Sequence, residues 1–354
     1  MSAKRNNSIE LFRFLFIAVI CFMHFSNSYF GAAPYFEGAY IGTEFFFIVS
    51  GYLLMYSFTK STDSPIKGTG AFSYTFSRVK KLYPHYLLSF GAIFVFTMIV
   101  NQASPWQVIR NLAASFWELT FLQISGLKCT GLVNYPAWYL SAMLIAGYFL
   151  YALLELFQNK FVKIGIPFTI LYVYAFFSKN NGNMDVWGGA QIMQVSDAVI
   201  RAFAAMSIGI LCYQGAEILR IRTISINGKI ALTIAEIASY ITVLIMSTVR
   251  GHSQNDFYLL ALLGIAVVLS FSGQTLTGYL CNNRVVSYLG KISFPMFLNQ
   301  IFIIGLFGQF YTGQNYKASL LLFIVAVMIY AAVADAIINL IYKVTGKGKH
   351  KQSI

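Results

Sequence analysis

The chain has 354 residues, of which 58% are hydrophobic, 17% aromatic and only 10% charged. Soluble domains carry about 25% charged residues, so this composition excludes a soluble enzyme, a disordered chain, a collagen-like fibre and a nucleic-acid-binding domain. A globule of this size cannot hide so much apolar surface from water, and lipid must therefore form part of its surroundings. The net charge of +13 then has a simple source, because Lys and Arg accumulate in the cytoplasmic loops of membrane proteins.

Ten apolar stretches follow one another along the chain, each close to the roughly 20 residues that a helix needs to cross the hydrocarbon layer. They are residues 12–30, 38–58, 84–101, 138–157, 162–178, 196–214, 229–248, 256–272, 291–309 and 318–342. Their apolar residues are continuous and do not alternate with polar ones, which excludes a transmembrane β-barrel. The predicted fold class is all-α, a polytopic membrane bundle of about ten transmembrane helices. One domain is expected over residues 1–354, with a core at 8–343 and a basic cytoplasmic tail at 344–354.

The basic residues predict the orientation of the bundle. With the N-terminus in the cytoplasm, 18 of the 25 Lys and Arg residues fall on the inner side and five on the outer side. The other two, Arg13 and Arg201, lie within predicted spans. This asymmetry indicates that both chain ends face the cytoplasm.

Two of the predicted loops are longer than the rest. The inner loop 59–83 ends in an amphipathic basic stretch that suits a helix along the membrane surface. The outer loop 102–137 carries Trp106, Trp117 and Glu118 around a moderately apolar centre. For this outer loop an interfacial or re-entrant segment is expected. Four cysteines are scattered without Cys-x-x-Cys spacing, so no metal site and no disulfide framework is expected.

Ionisable residues inside the predicted spans are few, and charge is costly there, so each indicates a functional site. The set is Arg13, His24, Glu44, Asp197, Arg201, Glu236 and Asp335. His24 and Glu44 are predicted at similar depth on neighbouring helices. A carboxylate beside an imidazole raises its basicity and fixes its tautomer, so this pair suits a general base. The alternative is a neutral His24 bonded to a backbone carbonyl, with Arg13 extending towards the membrane surface.

Other polar groups have simpler interpretations. Asp197 and Arg201 are four residues apart and are expected to pair with each other. His85 at the inner boundary and His252 in a loop are expected to be solvated or interfacial. The cluster of Arg78 and Lys81 before the third span is either an ordinary cytoplasmic cluster or a site for an anionic cofactor, since guanidinium and ammonium groups pair with phosphates.

Five short motifs occur in order along these spans. They are Arg13 with His24 eleven residues later, then residues 42–54, 76–84, 136–140 and 292–299. Together they resemble the motifs of the integral-membrane acyltransferase family 3, which includes bacterial O-acyltransferases of surface carbohydrates. The chain departs from the family pattern at Lys81, where Arg is usual, and at Asn299, where His is common.

The resemblance implies a function for the chain. The expected reaction moves an acyl group, usually acetyl, from cytoplasmic acyl-CoA to a hydroxyl of a cell-surface or lipid-linked glycan. It implies a bacterial plasma membrane location, with lipids, acyl-CoA and the glycan as partners and no permanently bound cofactor. The alternative is a polysaccharide or glycolipid exporter or flippase of the same family that transfers no acyl group.

The resemblance, together with the intramembrane charges, predicts roles for eight residues. The catalytic residues are His24, as base or acyl carrier, and Glu44 as its support. The residues expected to bind acyl-CoA are Arg13, Arg78 and Lys81, and those expected to bind the acceptor substrate are Trp138, Tyr139 and Asn299.

Overall fold

The computed structural model describes residues 6–31, 35–62, 70–127, 132–190, 192, 195–310 and 315–345. Within these ranges the chain is helical and contains no strand; its only β-type contact is the isolated bridge between Ile192 and Val195. The helices are α1 (Asn7–Phe30), α2 (Gly42–Thr62), α3 (Ala71–Val100), α4 (Pro105–Ala114), α5 (Phe116–Leu119), α6 (Trp138–Lys160), α7 (Ile166–Asn180), α8 (Asp197–Arg220), α9 (Ile226–Val249), α10 (Asp256–Ser272), α11 (Thr277–Leu280), α12 (Arg284–Phe310) and α13 (Tyr316–Val344). This confirms the predicted all-α class.

Eight stretches of the described chain are long and apolar enough to cross a membrane. One of them, Tyr135–Asn180, contains both α6 and α7, and the 17-residue apolar helix α10 is shorter than the eight. The described residues therefore form ten long apolar helices. Large apolar side chains such as Leu171 and Leu340 are exposed on them, as expected of surfaces that meet lipid tails. The chain is thus a multi-pass membrane protein.

The ten long helices run alternately up and down between two faces of the bundle. The N-terminal face is the end at which α1 begins, and the distal face is the end at which it finishes. The reversal between α6 and α7 follows Gln158, which leaves the helical conformation with φ of 44°, and a π-helical turn at Phe161–Gly165. Because the number of passes is even, α13 ends on the N-terminal face.

Helix α3 begins earlier than the sequence predicts. The basic stretch before Pro84, expected to lie along the membrane surface, forms the first turns of α3 from Ala71 onward. Pro84 lies inside the helix, since the neighbouring helices of a membrane bundle satisfy the backbone group that proline frees. Of the two expectations for His85, solvated or interfacial, the structure excludes solvation, because its side chain is buried and packs edge-on against Phe294.

The described residues between α4 and α6 dip into the bundle, in agreement with the re-entrant one of the two expectations for the outer loop. The hydroxyl of Tyr86, about 22 Å along α3 from Ala71, donates to the Glu118 carbonyl oxygen at 3.0 Å. The side-chain amide of Asn134 donates to the Leu298 carbonyl oxygen in the middle of α12, also at 3.0 Å. The segment therefore reaches mid-depth and places the start of α6 beside α1 and α12.

Candidate functional site

A wide cavity of about 800 Å³ opens at the N-terminal face and is here called the mouth. Basic side chains from α1, α2, α3 and α8 line it, with Glu10 as the acidic side chain; the basic residues are Arg13, Lys60, Arg78, Lys81 and Arg220. The structure therefore brings together the three residues predicted to bind an anionic substrate. Within the described residues Arg78 and Lys81 form no ion pair, whereas Arg13 lies 3.5 Å from Glu10. The mouth thus presents cationic groups that suit an anion.

A narrow cavity of about 100 Å³ continues from the mouth into the bundle and is here called the channel. Arg13, Arg78 and Lys81 line both cavities and so mark their junction. Beyond them the lining is mostly apolar, with side chains such as Ile17, Leu53, Leu140, Met143, Leu144 and Phe294. The channel therefore suits an extended, uncharged group better than a solvated one.

A third cavity, of about 380 Å³, lies towards the distal face and is here called the distal cavity. Ile20, Thr43, Tyr139 and Phe297 line both this cavity and the channel. Its other lining residues include His24, Asn27, Glu37, Tyr135, Trp138, Asp185, Trp187, Arg201 and His252. The mouth, the channel and the distal cavity consequently follow one another across the bundle.

His24 lines the distal cavity from α1. Its Nδ1 lies 3.0 Å from Oε1 of Gln300 on α12, and its ring meets the ring of Tyr135 edge-on at 5.2 Å between centroids. The predicted partner, Glu44, does not line this cavity. Its Oε1 accepts from Nε of Arg201 at 2.5 Å.

The predicted support of His24 by Glu44 is therefore corrected to a contact with Gln300. The first turn of α2 directs Glu44 towards α7 and α8, where the Tyr174 hydroxyl also donates to it at 3.4 Å. A guanidinium is a stronger partner for a buried carboxylate than a neutral imidazole.

The expected pairing of Asp197 with Arg201 is also wrong. Arg201 is fully buried and forms its ion pairs with Glu44 and, at 3.9 Å, with Asp185. Its Nη2 donates to Thr43 Oγ1 at 3.0 Å, and its guanidinium lies 5.8 Å from the centre of the Trp138 ring. One side chain of α8 thus holds the start of α2, the start of α6 and the loop after α7 against the distal cavity.

The structure separates the three residues predicted to bind the acceptor. Trp138 and Tyr139 line the distal cavity, and Tyr139 lines the channel as well. Asn299 lines none of the three cavities, because it is buried and its amide donates to the Pro295 carbonyl oxygen at 2.8 Å. One residue further along, about 100° around the helix, Gln300 is the side chain that meets His24.

His252, expected from the sequence to be solvated or interfacial in its loop, lines the distal cavity while its side chain stays 40% exposed. Its Nε2 lies 3.0 Å from Asp185 and its Nδ1 3.3 Å from Glu37, while its ring stacks on Tyr40 at 4.9 Å between centroids. Partial burial lowers the pKa of His252, but the two carboxylates raise it by more, so the pKa lies above its usual value.

Sequence reasoning missed this cluster because its members come from three loops distant in the chain. Arg201 was recognised from its sequence as an intramembrane charge, but the nearby Asp197 suggested the wrong partner for it. Gln300 carried no signal, because it is uncharged.

One comparison with known proteins identifies the family. Residues 6–338 match the family model Acyl_transf_3, described as an acyltransferase domain, whereas no curated protein and no solved structure matches the chain. The matched range covers nearly the whole chain and includes the residues that line the mouth, the channel and the distal cavity. The chain therefore belongs to the acyltransferase family 3, as a multi-pass membrane member whose predicted catalytic histidine lines a cavity inside the bundle.

Proposed function

We propose that the protein transfers an acyl group from an acyl-CoA bound in the mouth to a hydroxyl of an acceptor bound in the distal cavity. The observation that carries this proposal is the succession of cavities through shared residues. Arg13, Arg78 and Lys81 join the mouth to the channel, and Tyr139 joins the channel to the distal cavity. A donor and an acceptor that approach from opposite faces then meet beside His24.

The mouth supplies the groups that CoA phosphates require. Arg78 offers a planar fork of donors for a phosphate, and Lys81 supplies a single ammonium in place of a second fork. Arg13 lines both cavities, so it lies where the charged part of the donor would end and the apolar channel begins.

The channel fits the remaining part of the donor. Arg13 and His24 are eleven residues apart on α1, which corresponds to about 16 Å along the helix axis. The pantetheine arm is long, thin and uncharged, and it would carry the thioester along this channel towards His24.

His24 then acts as the general base. Nε2 of its neutral imidazole takes the proton from the acceptor hydroxyl, while the hydroxyl oxygen attacks the thioester carbonyl carbon. The carbon–sulfur bond breaks, the acyl group remains on the acceptor oxygen as an ester, and the CoA sulfur leaves and takes up the proton held by His24. Release of CoA in the absence of acceptor, in an amount equal to the protein, would instead identify His24 as an acyl carrier.

The acceptor that suits the distal cavity is a sugar of a cell-surface or lipid-linked glycan. Aromatic rings of Tyr135, Trp138 and Trp187 offer flat apolar surfaces, and the Asp185 and Glu37 carboxylates offer hydrogen-bond acceptors for hydroxyls. Acetyl-CoA is the proposed donor, because the channel is narrow. The basic N-terminal face is proposed to face the cytoplasm of a bacterial plasma membrane, following the asymmetry of Lys and Arg.

The lining of the channel favours acyl transfer over export of a saccharide. Its mostly apolar side chains offer few hydrogen-bond partners to the many hydroxyls of a sugar. A pantetheine arm carries far fewer polar groups along its length and fits such a lining better.

The proposal is tested with membrane vesicles that contain the protein, labelled acetyl-CoA and the surface glycans of the host. We expect His24→Gln to abolish transfer while acetyl-CoA still raises the thermal stability of the purified variant. We expect Arg78→Met to raise the KM for acetyl-CoA by about tenfold, because the variant loses one hydrogen bond between Arg78 and a charged phosphate of CoA. Arg222→Met is the matched control, because Arg222 is an exposed residue near the same face that does not line the mouth.

Two results would contradict the proposal. Undiminished glycan acylation by His24→Gln at normal protein levels would remove His24 from the reaction. An absence of acetyl-CoA binding, together with loss of glycan export when the protein is deleted, would favour the exporter. Mass spectrometry of the glycans in both strains measures acylation and identifies the acyl group.

A further inference from the structure

The side chain of Gln300 is held in one orientation. It is fully buried, and its Nε2 donates to the carbonyl oxygen of Phe297 at 3.0 Å. A flipped amide would place its oxygen against that carbonyl oxygen, and two acceptors repel each other. Oε1 therefore faces the other way, towards Nδ1 of His24 at 3.0 Å.

This orientation determines which nitrogen of His24 carries the proton. An amide oxygen can only accept a hydrogen bond, so Nδ1 must donate. We infer that Gln300 is a positioning residue that holds His24 as the neutral tautomer with its proton on Nδ1, leaving Nε2 as an unprotonated nitrogen at the distal cavity. Its role in catalysis rests on the proposed function, but the tautomer itself does not.

The surroundings of Nε2 agree with this assignment. Within the described part of the chain Nε2 makes no hydrogen bond, although the ring lines the distal cavity. The edge-on contact with Tyr135 restrains rotation of the ring. A hydroxyl that enters the cavity therefore finds a free lone pair in a fixed direction.

A glutamine differs from the carboxylate that orients a catalytic histidine in many hydrolases. It adds no charge at this depth, where an unpaired carboxylate would be costly. It also stabilises the imidazolium less, so His24 stays unprotonated, and able to accept a proton, at lower pH. The carboxylate that the sequence suggested for this position, Glu44, is occupied by Arg201.

Other titratable groups also act on His24. Those that line the same cavity are Glu37, Tyr40, Tyr135, Tyr139, Asp185, Arg201 and His252. Because none of these is altered by a substitution at residue 300, a comparison of variants at this position isolates the contribution of the amide.

The first experiment reads the tautomer without any substrate. The full chain is labelled with ¹⁵N histidine in a lipid nanodisc, and the His24 signals are assigned by their loss in His24→Asn. We expect a protonated Nδ1 and a bare Nε2 in the unaltered protein, and a mixture of tautomers in Gln300→Met. A proton on Nε2 in the unaltered protein would overturn the inference, whether or not the protein transfers acyl groups.

The second experiment reads the consequence for catalysis. We expect Gln300→Met to lower kcat by at least about tenfold with little change in the KM for acyl-CoA, a part of the roughly 10²–10⁴-fold that a general base contributes. Gln300→Glu should restore part of this loss, because its carboxylate also accepts from Nδ1. It should also move the acidic limb of the pH profile to higher pH, because a carboxylate stabilises the imidazolium.

The matched control is Gln274→Met. Gln274 is another buried glutamine whose Nε2 donates to backbone carbonyl oxygens, those of Arg220 and Arg222, near the N-terminal face. Its loss should leave the pH profile and the His24 tautomer unchanged. A purely structural role for Gln300 would be shown by equal effects of Gln300→Met and Gln300→Glu on kcat, with no shift of the pH profile.

Discussion

At the scale of single residues, Arg201 is the buried charge on which the distal cavity depends. Its side chain is fully buried and contacts Glu44, Thr43 and the ring of Trp138. Taking a guanidinium and a carboxylate out of water costs several kcal/mol for each ion, of the order that their attraction and hydrogen bonds restore. The pair therefore contributes mainly the geometry that it imposes and little net stability. Loss of one member should lower the free energy of unfolding more than loss of both, because the remaining ion would be buried without a partner.

Replacement of Arg201 tests this account. Arg201→Met should destabilise the protein by about 3–5 kcal/mol, because it leaves Glu44 as an uncompensated buried charge. The double variant Arg201→Met with Glu44→Gln should regain most of that loss. Thermal unfolding in detergent measures both, with Arg222→Met as the exposed control. A double variant less stable than the single one would contradict the importance of the pair.

The cluster around His252 predicts a pH dependence of stability. Its pKa is raised in the folded protein by Asp185 and Glu37, above an unfolded value of about 6.5. The stabilisation by protonated His252 is thus fully present below about pH 6.5 and is lost as the pH rises through the folded pKa.

We expect the difference in Tm between the unaltered protein and His252→Gln to be largest in mildly acidic buffer and to shrink in alkaline buffer. Thermal unfolding at a series of pH values measures it. A difference that is independent of pH would show that His252 does not gain a proton through this cluster. Because the imidazole is 40% exposed, salt should reduce the effect.

At the scale of elements, the crossing of α2 and α8 depends on two glycines. A Cβ at Gly209 would lie 2.0 Å from the Ile48 carbonyl oxygen, and one at Gly51 would lie 2.0 Å from the Met206 carbonyl oxygen. Small residues allow such close backbone contact between membrane helices. This contact sets the position of Arg201, which lies two turns from Gly209 on the same helix.

Gly209→Ala should therefore destabilise the protein by at least about 1–3 kcal/mol, the usual cost of overpacking, and should lower acyl transfer in proportion to the folded protein that remains. Gly91→Ala is the matched control, because a Cβ there meets nothing within 4 Å. It should be neutral or stabilising by up to about 1 kcal/mol, since alanine is the better helix former. Thermal unfolding of both variants measures these effects. Equal Tm values for Gly209→Ala and Gly91→Ala would contradict the close crossing of α2 and α8.

The elements also show where sequence patterns mislead. The predicted third span begins at Pro84 and leaves Arg78 and Lys81 in the preceding inner loop. In the structure these residues belong to α3 and line the mouth. Hydropathy records how polar a residue is, but not whether it faces lipid or a cavity within the protein.

At the scale of the whole molecule, three adjoining cavities lie in succession between the two faces of the bundle. Sequence reasoning named a residue in each: Arg78 in the mouth, Tyr139 in the channel and His24 in the distal cavity. Sequence reasoning did not identify the side chains that His24 and Glu44 contact. His24 meets Gln300 and Glu44 meets Arg201, because helix rotation and tilt decide which side chains at one depth face each other.

The sequence by itself determined that the chain crosses a membrane through about ten helices, and its motifs indicated the acyltransferase family. Hydropathy is a property of a continuous stretch of chain, and the motifs of the family lie in short segments, so both can be read along one dimension. The tertiary structure alone decided that the three cavities adjoin, that the loop residue His252 reaches the distal cavity and that Gln300 contacts His24. These facts depend on contacts between residues far apart in the chain, which arise only when the helices pack.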